Sequence, residues 1–301
     1  MSIPGPRTFC FGKLPIAGDF LHGVDAVPEF GELDDWIQHG MYKSQQLLGG
    51  EWQARFDALP RARFLWTAGR GVALAGWWLA SRDAVGRRYP FLVGARVAAT
   101  PAQHALLPVA LDDFFAAARH WLEQGFDGRS VPEVIAAAQA LPCRFDADAA
   151  PGAQRAALGA AGTASCWAGH GDRAELLLHD LQQAADEGAP PYSLRWPSRG
   201  DNADVAFWLA ALAHFGATAP RLVLWHGDAA APGTVRTVFG ELSPRQFAGM
   251  VFFDRDDDDA YDIGRDHGDA QRLRDATRDF AAAVAATTPA DALAALPGGR
   301  R

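Results

Sequence analysis

The spacing of apolar residues changes several times along this chain, and each spacing predicts a different kind of element. Recurrence every three to four residues predicts helices, and alternation or short runs of β-branched and aromatic residues predict strands. The predicted helices are residues 33–48, 111–124, 130–140, 173–187, 203–216, 243–251 and 270–286. The predicted strands are residues 8–13, 62–68, 72–82, 90–98, 191–196, 221–226 and 234–242.

Three strand segments follow one another between Arg63 and Val97, with a Gly-Arg-Gly turn between the first two. This order predicts a three-stranded antiparallel meander. Residues 146–164 are mainly Ala and Gly with few large side chains, which predicts a loop or insertion. The chain is thus divided into an N-terminal region (1–145), this insertion and a C-terminal α/β part (165–290). A tail (291–301) is expected to be disordered.

The composition and the net charge indicate which classes of protein this chain can belong to. The 301 residues are 49% hydrophobic and 21% charged, which is typical of a folded globular protein, and the net charge of -8 gives no reason to expect nucleic-acid binding. The three cysteines show no CxxC spacing, so neither a disulfide framework nor a zinc site is predicted.

The distribution of apolar residues also indicates where in the cell the protein is located. Pro and Gly interrupt the N-terminal segment, which therefore does not resemble a signal peptide. The most apolar run, residues 72–80, is too short to cross a bilayer as a helix. We therefore expect a cytoplasmic protein with no membrane insertion.

Residues 254–269 are strongly acidic and are the first place to consider a divalent cation. The spacing fails as an EF-hand loop, because Asp259 stands at the turn glycine and Arg265 at the terminal glutamate. His-Gly-Asp also occurs at His226 and His267, where it is equally typical of a polar turn. A metal-dependent hydrolase that uses the acidic segment with either histidine therefore stays open as the alternative function.

Other catalytic patterns are missing from the sequence. It has no G-x-S-x-G nucleophile elbow, no Walker A motif and no G-x-G-x-x-G after a predicted strand. The leading hypothesis is therefore a binding protein with no catalytic residues, no metal and no cofactor.

Two loops carry the candidate binding residues. The first follows the predicted strand 8–13 and has the sequence FGKLP, then GDF, with Lys13 and Asp19 expected to be exposed. The second, SRDAVGRRYP, connects two meander strands and contains Asp83, Gly86 and Arg87. Loops of this kind serve either as binding surfaces or as structural turns.

On the structural interpretation, Asp19 and Asp83 fix their turns by accepting hydrogen bonds, and Arg87 pairs with a carboxylate. On the functional interpretation, Lys13 joins these residues to form the polar part of a partner-binding surface. A set of neighbouring motif residues is expected to be structural: Gly12, Pro15, Gly18, Phe20, Asp35, Trp36, Ser81 and Pro90. Trp36 is expected to pack the first helix on the sheet.

Together these motifs resemble the N-terminal signature of the TagF/ImpM family of type VI secretion-associated proteins. The resemblance rests on FGKLP with GDF, on DDWI at 34–37, on the aromatic strand from Arg63, and on S-x-D-x-V-G-R-x-Y-P at 81–90. Two C-terminal segments resemble the same family less closely, SLRW at 193–196 and GELSPRQFA at 240–248.

The resemblance implies a cytoplasmic accessory protein that represses assembly or firing of the secretion apparatus after translation. The implied partner is an FHA-domain scaffold of that apparatus; the oligomeric state is left open. It also implies an α/β fold of the α+β type, with a mainly antiparallel sheet covered by helices in a layered sandwich. Because both halves carry family motifs, we expect a single enlarged domain.

Overall fold

The structure is a computed structural model that describes residues 5–24, 27–69, 71–145, 193–198, 200–214, 219–227, 233–252 and 261–262. The strands are β1 (Arg7–Gly12), β2 (Leu21–Gly23), β3 (Ala62–Gly69), β4 (Val72–Leu79), β5 (Phe91–Ala98), β6 (Ser193–Ser198), β7 (Leu222–Trp225), β8 (Gly233–Val238) and β9 (Tyr261–Asp262). The helices are α1 (Phe30–Leu48), α2 (Trp52–Asp57), α3 (Pro101–His104), α4 (Leu107–Ala110), α5 (Asp112–Glu123), α6 (Val131–Gln139), α7 (Asn202–His214) and α8 (Gln246–Val251). A short 3-10 turn, Gly49–Glu51, joins α1 to α2.

The nine described strands form one sheet in the order β2-β1-β5-β4-β3-β7-β8-β6-β9. Every pairing is antiparallel except that of β6 with β9. The predicted meander is confirmed as β3, β4 and β5. It joins the C-terminal strands through β3 and β7, where Arg63 lies opposite Trp225 and Trp66 opposite Leu222.

Helices cover both faces of this sheet. On one face, α1, α2 and α8 enclose a core with Phe64, Trp66 and Phe247. On the other face, α5, α6 and α7 pack on a second core that includes Trp77 and Trp225. The alternation of strand side chains between two faces thus produces a three-layer sandwich, and the predicted fold class is confirmed.

Two glycines make room for aromatic rings in the middle of the sheet. Gly76 of β4 lies opposite Gly94 of β5. A Cβ atom on Gly94 would lie 2.5 Å from the Phe9 ring, and one on Gly76 would lie 2.9 Å from the Phe64 ring. Both rings are buried, so close packing requires glycine at positions 76 and 94.

A local sequence signal sets the start of helix α6 as predicted. Helix α6 begins with the predicted capping box, in which the Ser130 amide donates to Glu133 Oε2 at 2.8 Å.

The described residues contain no helix long and apolar enough to cross a membrane. The predicted loop at 146–164, the helices at 173–187 and 270–286 and the tail at 291–301 lie outside the described residues.

Candidate protein-binding surfaces

The two predicted loops lie side by side and are called here the loop pair (residues 13–20 and 80–90). The Ala84 amide donates a hydrogen bond to the Ala17 carbonyl at 2.8 Å. The Arg87 guanidinium also donates to the Gly18 carbonyl. The structure therefore brings together two segments that the sequence places about seventy residues apart.

A buried carboxylate, that of Asp83, holds the loop pair together. Its Oδ2 atom accepts from Lys13 Nζ at 3.0 Å and from Arg87 Nε at 2.7 Å. Its Oδ1 atom accepts from the backbone amides of Val85, at 3.1 Å, and Arg87, at 2.8 Å. Asp83 therefore fixes the turn, as the structural interpretation predicts, and also ties it to the first loop.

The environment of Asp83 favours its charged form. Burial would raise the pKa of this carboxyl, but the hydrogen bonds from Lys13 and Arg87 outweigh burial and hold the pKa well below its usual value. The Lys13 ammonium also lies 4.8 Å from the centre of the Phe20 ring, a favourable cation–π position. The cluster is thus a satisfied ion-pair network.

The predicted exposure of Lys13 is wrong. Lys13 is only 6% exposed, and its partner Asp83 is 2% exposed, because each charge is neutralised by the other inside the loop pair. Asp19 and Arg87 are exposed, and Asp19 Oδ1 accepts from the Phe20 amide at 2.8 Å. The exposed side chains of the loop pair therefore include Asp19, Val85 and Arg87, with Val85 70% exposed at the tip.

Most of the predicted structural residues support the loop pair. Gly12 has a φ of +121°, and a Cβ there would meet the Pro90 carbonyl oxygen at 2.0 Å, so glycine is required. The Ser81 carbonyl accepts from the Tyr89 amide at 3.1 Å. Gly86, one of the predicted binding-loop residues, adopts a φ of +89° at the turn. Two further predicted residues, Pro15 and Gly18, are exposed in the first loop.

A second concave surface, called here the groove, lies between α1 and the segment 240–244 that follows β8. It has a volume of about 600 Å³, and its lining includes Glu32, Asp35, Trp36, His39, Trp66, Arg221, Glu241 and Leu242. Trp36 packs against Trp66 of β3, with ring centres 6.5 Å apart, as predicted for the contact of α1 with the sheet. Trp36 Nε1 donates to the Ser243 carbonyl at 3.1 Å and so fixes the opposite wall.

One cation is already bound within this groove. The Arg221 guanidinium lies 4.8 Å from the centre of the Trp66 ring, pairs with Glu32 and donates to the Thr67 carbonyl at 2.5 Å. The sequence motifs predict structural roles for Asp35 and Trp36, and they indicate no role for Arg221 or Glu241. No local signal could have found the groove, because its walls come from segments about two hundred residues apart.

The alternative metal site has limited support among the described residues. They contain no group of three His, Cys, Asp or Glu side chains suited to a metal ion. Burial, followed by the charges of Arg236 and Arg63, lowers the pKa of His226 to about 4. His267 and most of the acidic segment, residues 254–260 and 263–269, lie outside the part that the structure describes.

Comparison with known proteins gives a family match for the N-terminal part of the chain. Residues 9–141 match the family model of the TagF N-terminal domain, described as type VI secretion system-associated. No curated protein matches the chain. Among solved structures, PA0076 from Pseudomonas aeruginosa PAO1 is similar at 27% sequence identity and a TM-score of 0.41, covering 50% of this chain and 74% of that one.

Proposed function

Because residues 9–141 of this chain belong to the TagF N-terminal domain family, which is type VI secretion system-associated, we propose that the protein regulates this apparatus by binding another protein. In this proposal it is a non-catalytic cytoplasmic accessory protein that represses assembly or firing after translation. The proposed partner is an FHA-domain scaffold of the apparatus, and the proposed contact surface is the loop pair.

The observation that carries this proposal is the anchored turn at the tip of the loop pair. Buried Asp83 anchors the turn through two backbone amides and two cations, while Val85 and Arg87 project into solvent. A loop that is already ordered loses less conformational entropy on binding, which favours affinity. Arginine beside an exposed apolar side chain is also typical of protein interfaces.

The test is the substitution Val85→Asp, assayed by pull-down of the purified FHA-domain scaffold with the full chain. The Val85 side chain is exposed, and Val85 contributes to the turn only through its backbone amide, so the fold should tolerate the change. We expect retained scaffold to fall by about tenfold, since a charge placed at an apolar contact is buried without a partner. Thermal unfolding of the variant should be nearly unchanged.

The matched control is Leu47→Asp. Leu47 is 57% exposed on α1, so this variant makes the same kind of change outside the loop pair. Scaffold binding should be retained. Equal binding by Val85→Asp and the control would reject the loop pair as the contact surface, and no binding by the unmodified chain would reject the partner.

A further inference from the structure

We propose that Arg87 pairs with a carboxylate of the partner protein, beside an apolar pocket that receives Val85. The pairing rests on the proposed function, in which the loop pair is the contact surface, and it specifies the chemistry of the partner's side. The partner presents an aspartate or glutamate side chain next to a small apolar pocket.

The exposed part of the second loop has an apolar centre with a cation on each side. Ala84, Val85 and Gly86 are exposed at the turn, and Arg82 and Arg87 are exposed on either side of them. Val85 is 70% exposed, so most of its apolar surface is in contact with water. Burial of that surface is favourable when the partner offers an apolar pocket that matches it.

The charges within the loop pair leave Arg87 without a counter-ion of its own. Asp83 carries one negative charge, and Lys13 Nζ lies 3.0 Å from its Oδ2 atom. Lys13 depends on that charge because both residues are buried, whereas the Arg87 side chain is 58% exposed. The network of these three residues therefore has one positive charge in excess, and the excess lies at the surface on Arg87.

The neighbouring charged groups do not cancel this excess. Arg88 bonds both carboxylate oxygens of Asp57 in α2, at 2.8 and 2.6 Å. The hydrogen bond from Arg88 lowers the pKa of Asp57, and the charges of Arg88 and Arg82 lower it further. Asp19 is exposed in the first loop, and its Oδ1 accepts from the Phe20 amide. Among these described side chains, four cations (Lys13, Arg82, Arg87 and Arg88) stand against three carboxylates (Asp19, Asp57 and Asp83).

Two contacts hold the Arg87 guanidinium in place and leave donors for a partner. Its Nε donates to Asp83 Oδ2 at 2.7 Å, and its Nη2 donates to the Gly18 carbonyl. A guanidinium has five N–H groups, and the other three of Arg87 have no acceptor among the described residues. A planar set of donors that is already held in place matches the two oxygens of a carboxylate and loses little side-chain entropy on binding.

These features favour a protein pocket over a membrane surface as the binding partner. Segments that bind at a membrane surface bury large apolar side chains such as Trp, Phe and Leu. Among the loop-pair residues, all of which the structure describes, Val85 is the one large apolar side chain that is exposed. A fixed guanidinium also needs an acceptor at a defined position, which a folded protein supplies.

The experiment measures the affinity of the full chain for the purified FHA-domain scaffold by calorimetry, at about 50 and about 300 mM NaCl. We expect Arg87→Gln to bind about tenfold more weakly at the lower salt and to lose most of the salt dependence. Arg87→Lys keeps the charge without the planar fork and should bind about threefold more weakly. The matched control is Arg119→Gln on α5, because Arg119 is 51% exposed and bonds Glu123 through Nε at 2.8 Å. This control should bind like the unmodified chain.

Thermal unfolding separates binding from folding, and Tm of each Arg87 variant should stay within about 2 °C of the unmodified chain. A larger fall in Arg87→Gln would return Arg87 to a purely structural role. Equal affinity of Arg87→Gln and the unmodified chain would overturn the pairing, and the proposed function would stand if Val85→Asp still lost binding. An equal loss in Arg119→Gln would reduce the effect to net charge.

Two further outcomes would also overturn the pairing. Sedimentation with vesicles of phosphatidylcholine and phosphatidylglycerol, lost in Arg87→Gln, would assign the tip of the loop pair to an anionic lipid surface. No binding of the scaffold by the unmodified chain would overturn the pairing and the proposed partner together.

Discussion

Single residues in the loop pair carry unequal shares of its stability. Asp83 neutralises the buried Lys13 ammonium and satisfies two turn amides, whereas the Arg87 side chain is 58% exposed. The S-x-D-x-V-G-R motif was sufficient to predict that Asp83 fixes a turn. It could not predict that Lys13 is buried, because that depends on a contact seventy residues away in the sequence.

We expect Asp83→Ala to lower Tm by about 5 °C or more, since it leaves the buried Lys13 charge without its anion and two amides without their acceptor. Arg87→Ala should lower Tm by about 2 °C or less, because exposed ion pairs contribute little. Thermal unfolding followed by circular dichroism measures both. Equal losses in the two variants would contradict the assignment of Asp83 as the anchor.

The sequence predicts elements whose apolar residues recur with a clear period, and it does not predict the very short elements. The spacing of apolar residues indicated α1, α5, α7 and the meander strands to within a few residues. It missed β2, β9, α3 and α4, because two to four residues are too few to show a period. Amphipathic spacing also indicates which face of a helix is buried, but not which partner covers it.

The contact between α1 and α8 provides a test at this scale. A Cβ on Gly40 would lie 2.3 Å from the ring of Phe247, which is fully buried. We expect Gly40→Ala to destabilise the protein by about 1–3 kcal/mol, since overpacking outweighs the usual gain from removing a helical glycine. The measurement is urea unfolding at equilibrium.

Gly31 is the matched control, because it lies in the same helix and a Cβ there would meet nothing within 4 Å. Gly31→Ala should therefore be neutral or stabilising by up to about 1 kcal/mol. The same sign for both substitutions would contradict the close packing of α1 against α8.

For the whole molecule, the sequence predicted the fold class and the family resemblance, and both are confirmed. The strand order was not predictable, because the pairing of β3 with β7 joins residues more than 150 positions apart. The groove depends on that pairing, since Trp66 lies on β3 and Arg221 immediately precedes β7. The sequence could not predict the groove, because this site forms only when strands that are distant in the sequence pair with each other.

The folded molecule also responds to pH through two histidines on different elements. Burial lowers the pKa of His104, and burial with the charges of Arg236 and Arg63 lowers that of His226 to about 4. Below an unfolded-state pKa of about 6.5, the unfolded chain takes up protons that the folded protein excludes. Stability should therefore fall as the pH decreases from about 6.5 toward about 4.

Urea unfolding at about pH 7.5 and about pH 5 tests this dependence, and the free energy of unfolding should be lower at the acidic pH. Histidine proton resonances provide the specific readout, with His226 titrating near pH 4. A His226 resonance that titrates near its ordinary value, together with unchanged unfolding free energy, would contradict the prediction.

The β3–β7 pairing also limits how this protein can be divided. The family match ends at residue 141. Strand β3, which lies within the matched part, pairs along one edge with β7, which lies beyond residue 141. A fragment that ends at residue 141 would leave backbone N–H and C=O groups of the aromatic strand β3 unpaired. Exposed strand edges of this kind pair with other chains and promote aggregation. The C-terminal strand β7 therefore covers an edge of β3 that would be exposed if the chain were cut at residue 141.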